Sequence, residues 1–446
     1  MNKNDLTNGP IFTTLFKFSL PMIIVNILQM LFHTADTAVL GTMSGDAEVA
    51  AVGACGSLIS MIICLVSGYS SAANVVISKR IGAKNEQESR RATGTALILG
   101  FLSGLFLMVI VLIFSKRFLI MTNCQPEILD LADLYLKIYF LGMPITMLYN
   151  FVTSILRASG DSVRPMIYMI VAGVSNVILN VFLVGVCGLT VAGVAIATVV
   201  SNLIALTLAL IALVRNKDYC KIEMKNLRLR KAELFEMIKI GFPTCVSGLA
   251  FYFGEVVVVS VVNSISADAM TANAIAAQID RINYTVGSSI ATAAGIMVSQ
   301  NFGARNFGRI KRIMRTGTAY CISITMSIGV IAVMLSNIVV GIFTDSSAVV
   351  ELARGRLVIL CLTNFITCAA EVFGNSVRAL KRPNTLLVVG ITCGFLIRSG
   401  WAWFVWPACK TLPFLFVCFP LSTLAGGMIY FLVYRKALKK AEIGAI

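Results

Sequence analysis

Long apolar runs alternate with short polar stretches along almost the whole chain. A bilayer core about 30 Å thick needs about 20 apolar residues per helix. The runs meet that length again and again, which a soluble domain has no reason to do. Backbone polar groups find no water partners in lipid, so only helices and closed barrels cross it. Barrel strands alternate every second residue, and these runs are continuous instead. The pattern predicts an all-α integral membrane protein. Its twelve transmembrane helices fall near 14–40, 51–78, 92–115, 131–156, 165–186, 190–214, 240–262, 272–298, 316–341, 355–377, 386–407 and 413–434.

Composition agrees: 58% of residues are apolar and 13% charged, about half the charge of ordinary soluble domains. The net charge of +16 would suit nucleic acid, but the basic residues lie in short loops between apolar spans and mark the cytoplasmic side instead. No nucleic-acid partner is expected. One set of loops holds Lys79, Arg80, Lys84, Arg90 and Arg91, then Arg157 and Arg164, then Arg215, Lys217, Lys221, Lys225, Arg228, Arg230 and Lys231. The same side collects Arg305, Arg309, Lys311, Arg312 and Arg315, then Arg378, Lys381 and Arg382, and finally Arg435, Lys436, Lys439 and Lys440. The opposite loops hold little beyond Lys116, Arg117, Arg354, Arg356 and Lys410. This alternation places both termini in the cytoplasm of a multi-pass protein of the cell's inner (plasma) membrane.

Two halves of the chain are related. Phe18-Ser19-Leu20-Pro21 corresponds to Ile240-Gly241-Phe242-Pro243, and the segment from Ser78 to Asn85 to that from Ser299 to Asn306. Thr93-Gly94-Thr95-Ala96 matches Thr316-Gly317-Thr318-Ala319, and Leu156-Arg157-Ala158 matches Val377-Arg378-Ala379. Each pair is offset by 221 to 223 positions, as with Pro21 and Pro243, 222 apart. Six spans per half is an even number, so the halves run parallel, related by an axis along the membrane normal. The expected organisation is two pseudo-symmetric six-helix lobes, 1–214 and 240–446, joined by a basic cytoplasmic linker, 215–239. Repeat-built bundles of this kind place substrate sites at membrane depth.

The cysteines, twelve in all, sit singly with no CxxC pair, as buried reduced thiols do. One histidine excludes a zinc or histidine-based catalytic cluster, and no enzyme activity is expected. The first apolar run is too long for a signal peptide and has no A-x-A end. Gly303 to Arg309 lacks the GK[ST] of a phosphate loop and follows no strand, so an ion gradient rather than ATP is the expected energy source.

Charge inside a span is the sharpest chemical signal, because an ionised Asp at a helix centre costs at least about 2.5–3.5 kcal/mol. Asp36 lies about four residues from the outer end of the first span. Asn176 and Asn180 share one face of the fifth, and Thr198 lies about eight residues into the sixth. At about 1.5 Å per residue the four reach a similar depth. Carboxylate, amide and hydroxyl oxygens suit a protonatable site or a hard cation such as Na⁺. The alternative is that Asn and Thr bond neighbouring helices. His33, three residues before Asp36, is a candidate proton relay or a packing residue. Glu255 in the seventh span is a second candidate for a cation or a positively charged substrate. Asp280 stands beside Arg281 in the eighth span, open to pairing or substrate contact. Glu371 precedes Arg378 by seven residues in the tenth, as Asn150 precedes Arg157 in the fourth, which reads as architecture near a cytoplasmic gate, with direct contact of Glu371 with cation or substrate as the alternative.

The motifs resemble the multidrug and toxic compound extrusion (MATE) transporters. The resemblance is carried by Leu20-Pro21 through Asp36-Thr37, Ala50-Ala51-Val52-Gly53 and Leu156 to Asp161. It continues through Gly193 to Thr198 and Val298 to Ala304, and so runs in order through both halves. It implies a two-lobed, monomeric antiporter that expels bulky, often cationic and aromatic compounds in exchange for Na⁺ or H⁺, with no cofactor beyond the coupling ion. The family's first-helix aspartate lands on Asp36, and its polar cluster on Asn176, Asn180 and Thr198. Many relatives have aspartate at Asn180 and asparagine at His33. Those departures leave Asp36 as the cluster's only carboxylate and favour proton coupling. Glu255 resembles a seventh-helix glutamate of some relatives, whose tenth-helix acidic partner would fall near Thr367. The alternative function is a lipid-linked oligosaccharide flippase of the same superfamily. It calls for extra spans or a strongly basic cavity, whereas only Arg281 and Arg398 are read within spans.

Overall fold

The computed structural model describes residues 5–122, 124–215 and 219–444. Lys217 of the basic loop lies outside them. The described residues form helices and no strands. The first half comprises α1 (Ile11–Met43), α2 (Asp46–Gly82), α3 (Glu86–Met121), α4 (Leu129–Leu141), α5 (Met143–Ala158), α6 (Val163–Asn180) and α7 (Thr190–Arg215). The second comprises α8 (Lys231–Asn263), α9 (Ala267–Gly303), α10 (Phe307–Met334), α11 (Ser336–Gly341) and α12 (Ser347–Ala379). Then follow α13 (Asn384–Val389), α14 (Arg398–Gly400), α15 (Leu412–Phe416) and α16 (Cys418–Glu442).

Among the described residues ten helices are long and apolar enough to cross a membrane. An eleventh span is the pair α4 and α5, bent by 48°. The bend falls at Gly142, where a Cβ would lie 2.3 Å from Val199 Cγ2, and Pro144 opens α5. The remaining expected span, 272–298, is α9, 37 residues long. It is too polar to count by composition: Gln278, Asp280, Arg281 and Asn283 stand in its middle, with Gln278 and Arg281 exposed, whereas residues 293–302 are buried without a break. At about 1.5 Å per residue α2 and α9 are roughly 55 Å long and overrun the hydrocarbon at their ends. Several charges expected in loops therefore lie in helices: Lys116 and Arg117 in α3, Arg354 and Arg356 in α12.

The repeat is written into the backbone. Asn85 caps α3 by accepting from Glu88 N at 3.1 Å, and Asn306 caps α10 by accepting from Arg309 N at 3.2 Å. Lys84 (φ 57°) and Arg305 (φ 56°) precede those caps in the left-handed region, which non-glycine residues seldom enter. Gly160 pairs in the same way with Lys381, and Gly188 with Lys410, all with positive φ. Every such pair keeps the spacing seen in the sequence.

The chain separates into two compact units. Unit 1 contains Asp5 and Ile24–Gly241, and unit 2 contains Leu6–Ile23 and the chain from Phe242 onward. Both divisions fall inside a helix, beside Pro21 in α1 and beside Pro243 in α8. Proline removes a backbone hydrogen bond from a helix interior, so each division sits at the helix's weakest turn. Residues 219–239, within the expected cytoplasmic linker, pack in unit 1. Arg228 O accepts from Thr95 Oγ1 at 3.1 Å, Arg90 pairs with Glu223, and Arg80 reaches Glu236 at 3.1 Å. Gly94 permits this docking: a Cβ there would stand 2.0 Å from Asn226 O. The Lys225 ammonium holds the Glu223 carboxyl below its ordinary range.

Candidate functional site

In unit 1 the backbone delivers Asp36 from α1 to the last turn of α6. Asp36 is 8% exposed, Asn176 5% and Asn180 fully buried. Asn180 Nδ2 donates to Asp36 Oδ1 at 2.5 Å and also faces Asn176 Oδ1 at 3.3 Å. Asn180 Oδ1 is buried and has no hydrogen-bond partner among the described residues. An orphaned buried acceptor is uncommon and costs about 1–3 kcal/mol. Directly after Asn180 the helix widens into π-turns, Val181–Val186, a distortion that recurs at functional sites. The Asn180 amide turns its nitrogen to both Asp36 Oδ1 and Asn176 Oδ1; turned over, it would join them as a set of oxygens suited to a proton or a small hard cation.

Thr198, expected in this group, is on α7 with its hydroxyl donated to Val194 O at 2.9 Å. It bonds to none of the other three. His33 is exposed, one turn before Asp36. Sequence reasoning missed Tyr135 and Tyr139 of α4, both within electrostatic reach of Asp36. It also missed Asp133, which is buried, accepts from Ser115 Oγ at 2.5 Å and pairs with Lys137 at 2.7 Å. The Asp133–Lys137 spacing of four residues was the available signal. That closed set carries structure rather than a site.

Unit 2 scatters its candidates. Glu255 on α8 is exposed, and Asp280 on α9 is half-buried with Cys361 Sγ at 3.9 Å from its Oδ1. Asp280 and Arg281 form no ion pair with each other among the described residues. The first cation in electrostatic reach of Asp280 is Arg356. Glu371 accepts from the Tyr284 hydroxyl, with Arg378 in reach. Thr367 Oγ1 lies 3.5 Å from Thr423 Oγ1 and adds no charge. Arg356, which the charge pattern assigns to a loop, is 5% exposed, donates to Asn273 Oδ1, and lies over the Phe416 ring at 5.2 Å. Arg398 is 7% exposed. The structure thus seals two guanidinium groups inside this unit.

The sequence profile of the MatE family matches residues 21–182 and again residues 243–403. The chain belongs to the MatE family. The two matches begin at Pro21 and Pro243, so the family unit is itself the repeat. Among MatE relatives, the probable multidrug resistance protein YoeA of Bacillus subtilis is 27% identical over 369 residues, covering 81% of this chain and 80% of its own. The multidrug export protein MepA of Staphylococcus aureus is 24% identical over 396 residues, covering 87% and 86%. A MATE protein solved in a bent conformation superimposes with a TM-score of 0.91 at 19% identity, over 100% of this chain and 99% of that one. A MOP-superfamily transporter of Pyrococcus furiosus gives 0.89 at 20% identity, over 99% of both. At those identities the likeness is one of fold: the twelve-helix, two-lobed MATE architecture.

Proposed function

We propose that this MatE protein exports small organic compounds, many of them cationic, across the plasma membrane in exchange for H⁺ or Na⁺, with Asp36 as the coupling group. The observation that carries the reading is the buried triad of Asp36, Asn180 and Asn176, with one acceptor oxygen left over. Relatives named for multidrug resistance and export support the substrate class.

The chemistry follows from charge. Ionised Asp36 accepts the Asn180 amide and is expensive to keep within the bilayer. A bound cation neutralises it. If the cation is a proton, the carboxyl becomes a donor, and the Asn180 amide turns over to present its oxygen. If it is Na⁺, the Asn180 amide likewise turns over, and its oxygen, Asn176 Oδ1 and the carboxylate serve as ligands. Either event changes which group donates between α1 and α6, at the entrance to a π-helical segment. A cation-bound and a cation-free triad therefore favour different helix packings, as exchange through alternating access requires. The alternation of loop charge supports both termini in the cytoplasm, and the reading takes one chain as the working unit.

The test is dye efflux from cells stripped of their own exporters. Asp36→Asn should reduce efflux to the level of cells without the protein while membrane insertion is unchanged. Efflux at the unmutated rate would remove Asp36 from the mechanism.

A further inference from the structure

Arg398 is built into unit 2 with more care than a filler residue needs. It occupies the short α14, between π-helical stretches Gly390–Ile397 and Trp401–Val405. Its guanidinium lies between two aromatic rings, 5.1 Å from the centroid of Phe251 on α8 and 4.7 Å from that of Phe419 on α16. Each such contact is worth about 0.5–2 kcal/mol. Nε donates to Ser422 Oγ at 3.1 Å. The clamp is tight on the α8 side because Gly254 lets the backbone of Gly394 approach: a Cβ there would lie 2.0 Å from Gly394 O.

The rings and Ser422 hold the plane and the Nε edge of the guanidinium. The far edge, with both Nη nitrogens, donates to no protein group among the described residues, and Arg398 joins no ion pair among them. Glu255 interacts with it only at longer range. Arg356 adds a second cation that is likewise without an ion pair among the described residues, and its Nε has no partner. Buried charges are as a rule paired. A guanidinium presents a fork that matches a carboxylate in two parallel hydrogen bonds. A fixed fork with its outer edge open is a receptor for such a group.

We infer that Arg398 binds the carboxylate of an organic ligand inside unit 2. This rests on the export reading and extends it: the exported compounds include organic acids as well as cations. Glu255 is within electrostatic reach of Arg398, so removing its negative charge favours the acid.

The test is equilibrium binding to the purified full chain in detergent, with a fluorescent aromatic carboxylate and its methyl ester as probes. The unmutated protein should bind the acid at least about tenfold more tightly than the ester. Arg398→Gln should lose that preference, and Arg398→Lys should keep part of it. Glu255→Gln should strengthen acid binding severalfold and leave the ester alone, a gain that a misfolded variant cannot mimic. Equal affinity for acid and ester in the unmutated protein would overturn the proposal. So would an Arg398→Gln protein that weakens both probes equally, or displacement by phosphatidylglycerol but not by the acid, which would assign the fork to lipid phosphate. No gradient is used, so acid preference without efflux in cells would count against export alone, and efflux without acid preference against this site alone.

Discussion

Asn180 donates its side-chain amide to Asp36 across 2.5 Å and so ties α6 to α1 where α6 widens into π-turns. The bond crosses between helices far apart in sequence, and it uses only one end of the amide. A hydrogen bond to a charged group is worth about 1.5–3 kcal/mol, which is roughly 10- to 100-fold in an equilibrium. Asn180→Ala should therefore slow dye efflux by about tenfold or more, with the protein still inserted at normal levels. Initial efflux rates normalised to membrane-inserted protein check this, and a rate within twofold of the unmutated protein would contradict it.

Asn180→Asp places a second carboxylate against Asp36 in the same buried setting. Two carboxylates and Asn176 Oδ1 make a stronger hard-cation site than one carboxylate and an amide. Transport by this variant should gain a dependence on Na⁺ at fixed pH. Efflux measured with and without Na⁺ reads it directly, and no change in Na⁺ dependence would count against a direct ion-binding role for position 180.

Packing gives a prediction independent of transport. Gly254 lies against the backbone of Gly394, with a Cβ expected 2.0 Å from its carbonyl oxygen. Overpacking of this kind costs about 1–3 kcal/mol. Gly254→Ala should lower the thermal unfolding midpoint by about 1–3 °C, whereas Gly53→Ala, where a Cβ meets nothing within 4 Å, should leave it nearly unchanged.

The lipid-facing helices and the repeat were legible because both are properties of pattern: apolar length, loop charge and a fixed offset. Asp36, Asn176 and Asn180 were legible because polar groups stand out in apolar runs. α9 is the instructive case for the fold. Its span was expected from the apolar pattern, yet it falls short of a hydropathy test because Gln278, Asp280, Arg281 and Asn283 interrupt its middle. Arg356 was misread for a related reason: charge near a span end looks like a loop until the helix is seen to begin at Ser347. Thr198 donates its hydroxyl to Val194 O of its own helix and bonds to none of the other three. The docking of 219–239 depends on Gly94 and Thr95 meeting a distant backbone, and no local pattern reports that.

The orientation of the chain is open to chemical labelling. Cys187 and Cys409 are exposed and follow the fifth and eleventh spans, whereas Cys220 in the basic segment is buried. With both termini in the cytoplasm, a membrane-impermeant maleimide added to intact cells should modify Cys187 and Cys409. Peptide mass spectrometry reads the sites. Labelling of those two only after the cells are opened would invert the topology.

The central claim is that a cation gradient acting at Asp36 drives export. The most direct measurement is substrate flux in proteoliposomes with H⁺ and Na⁺ gradients imposed one at a time, for the unmutated protein and for Asp36→Asn. One gradient alone should drive transport by the unmutated protein, and Asp36→Asn should respond to neither. Flux by Asp36→Asn equal to that of the unmutated protein under the driving gradient would contradict the claim.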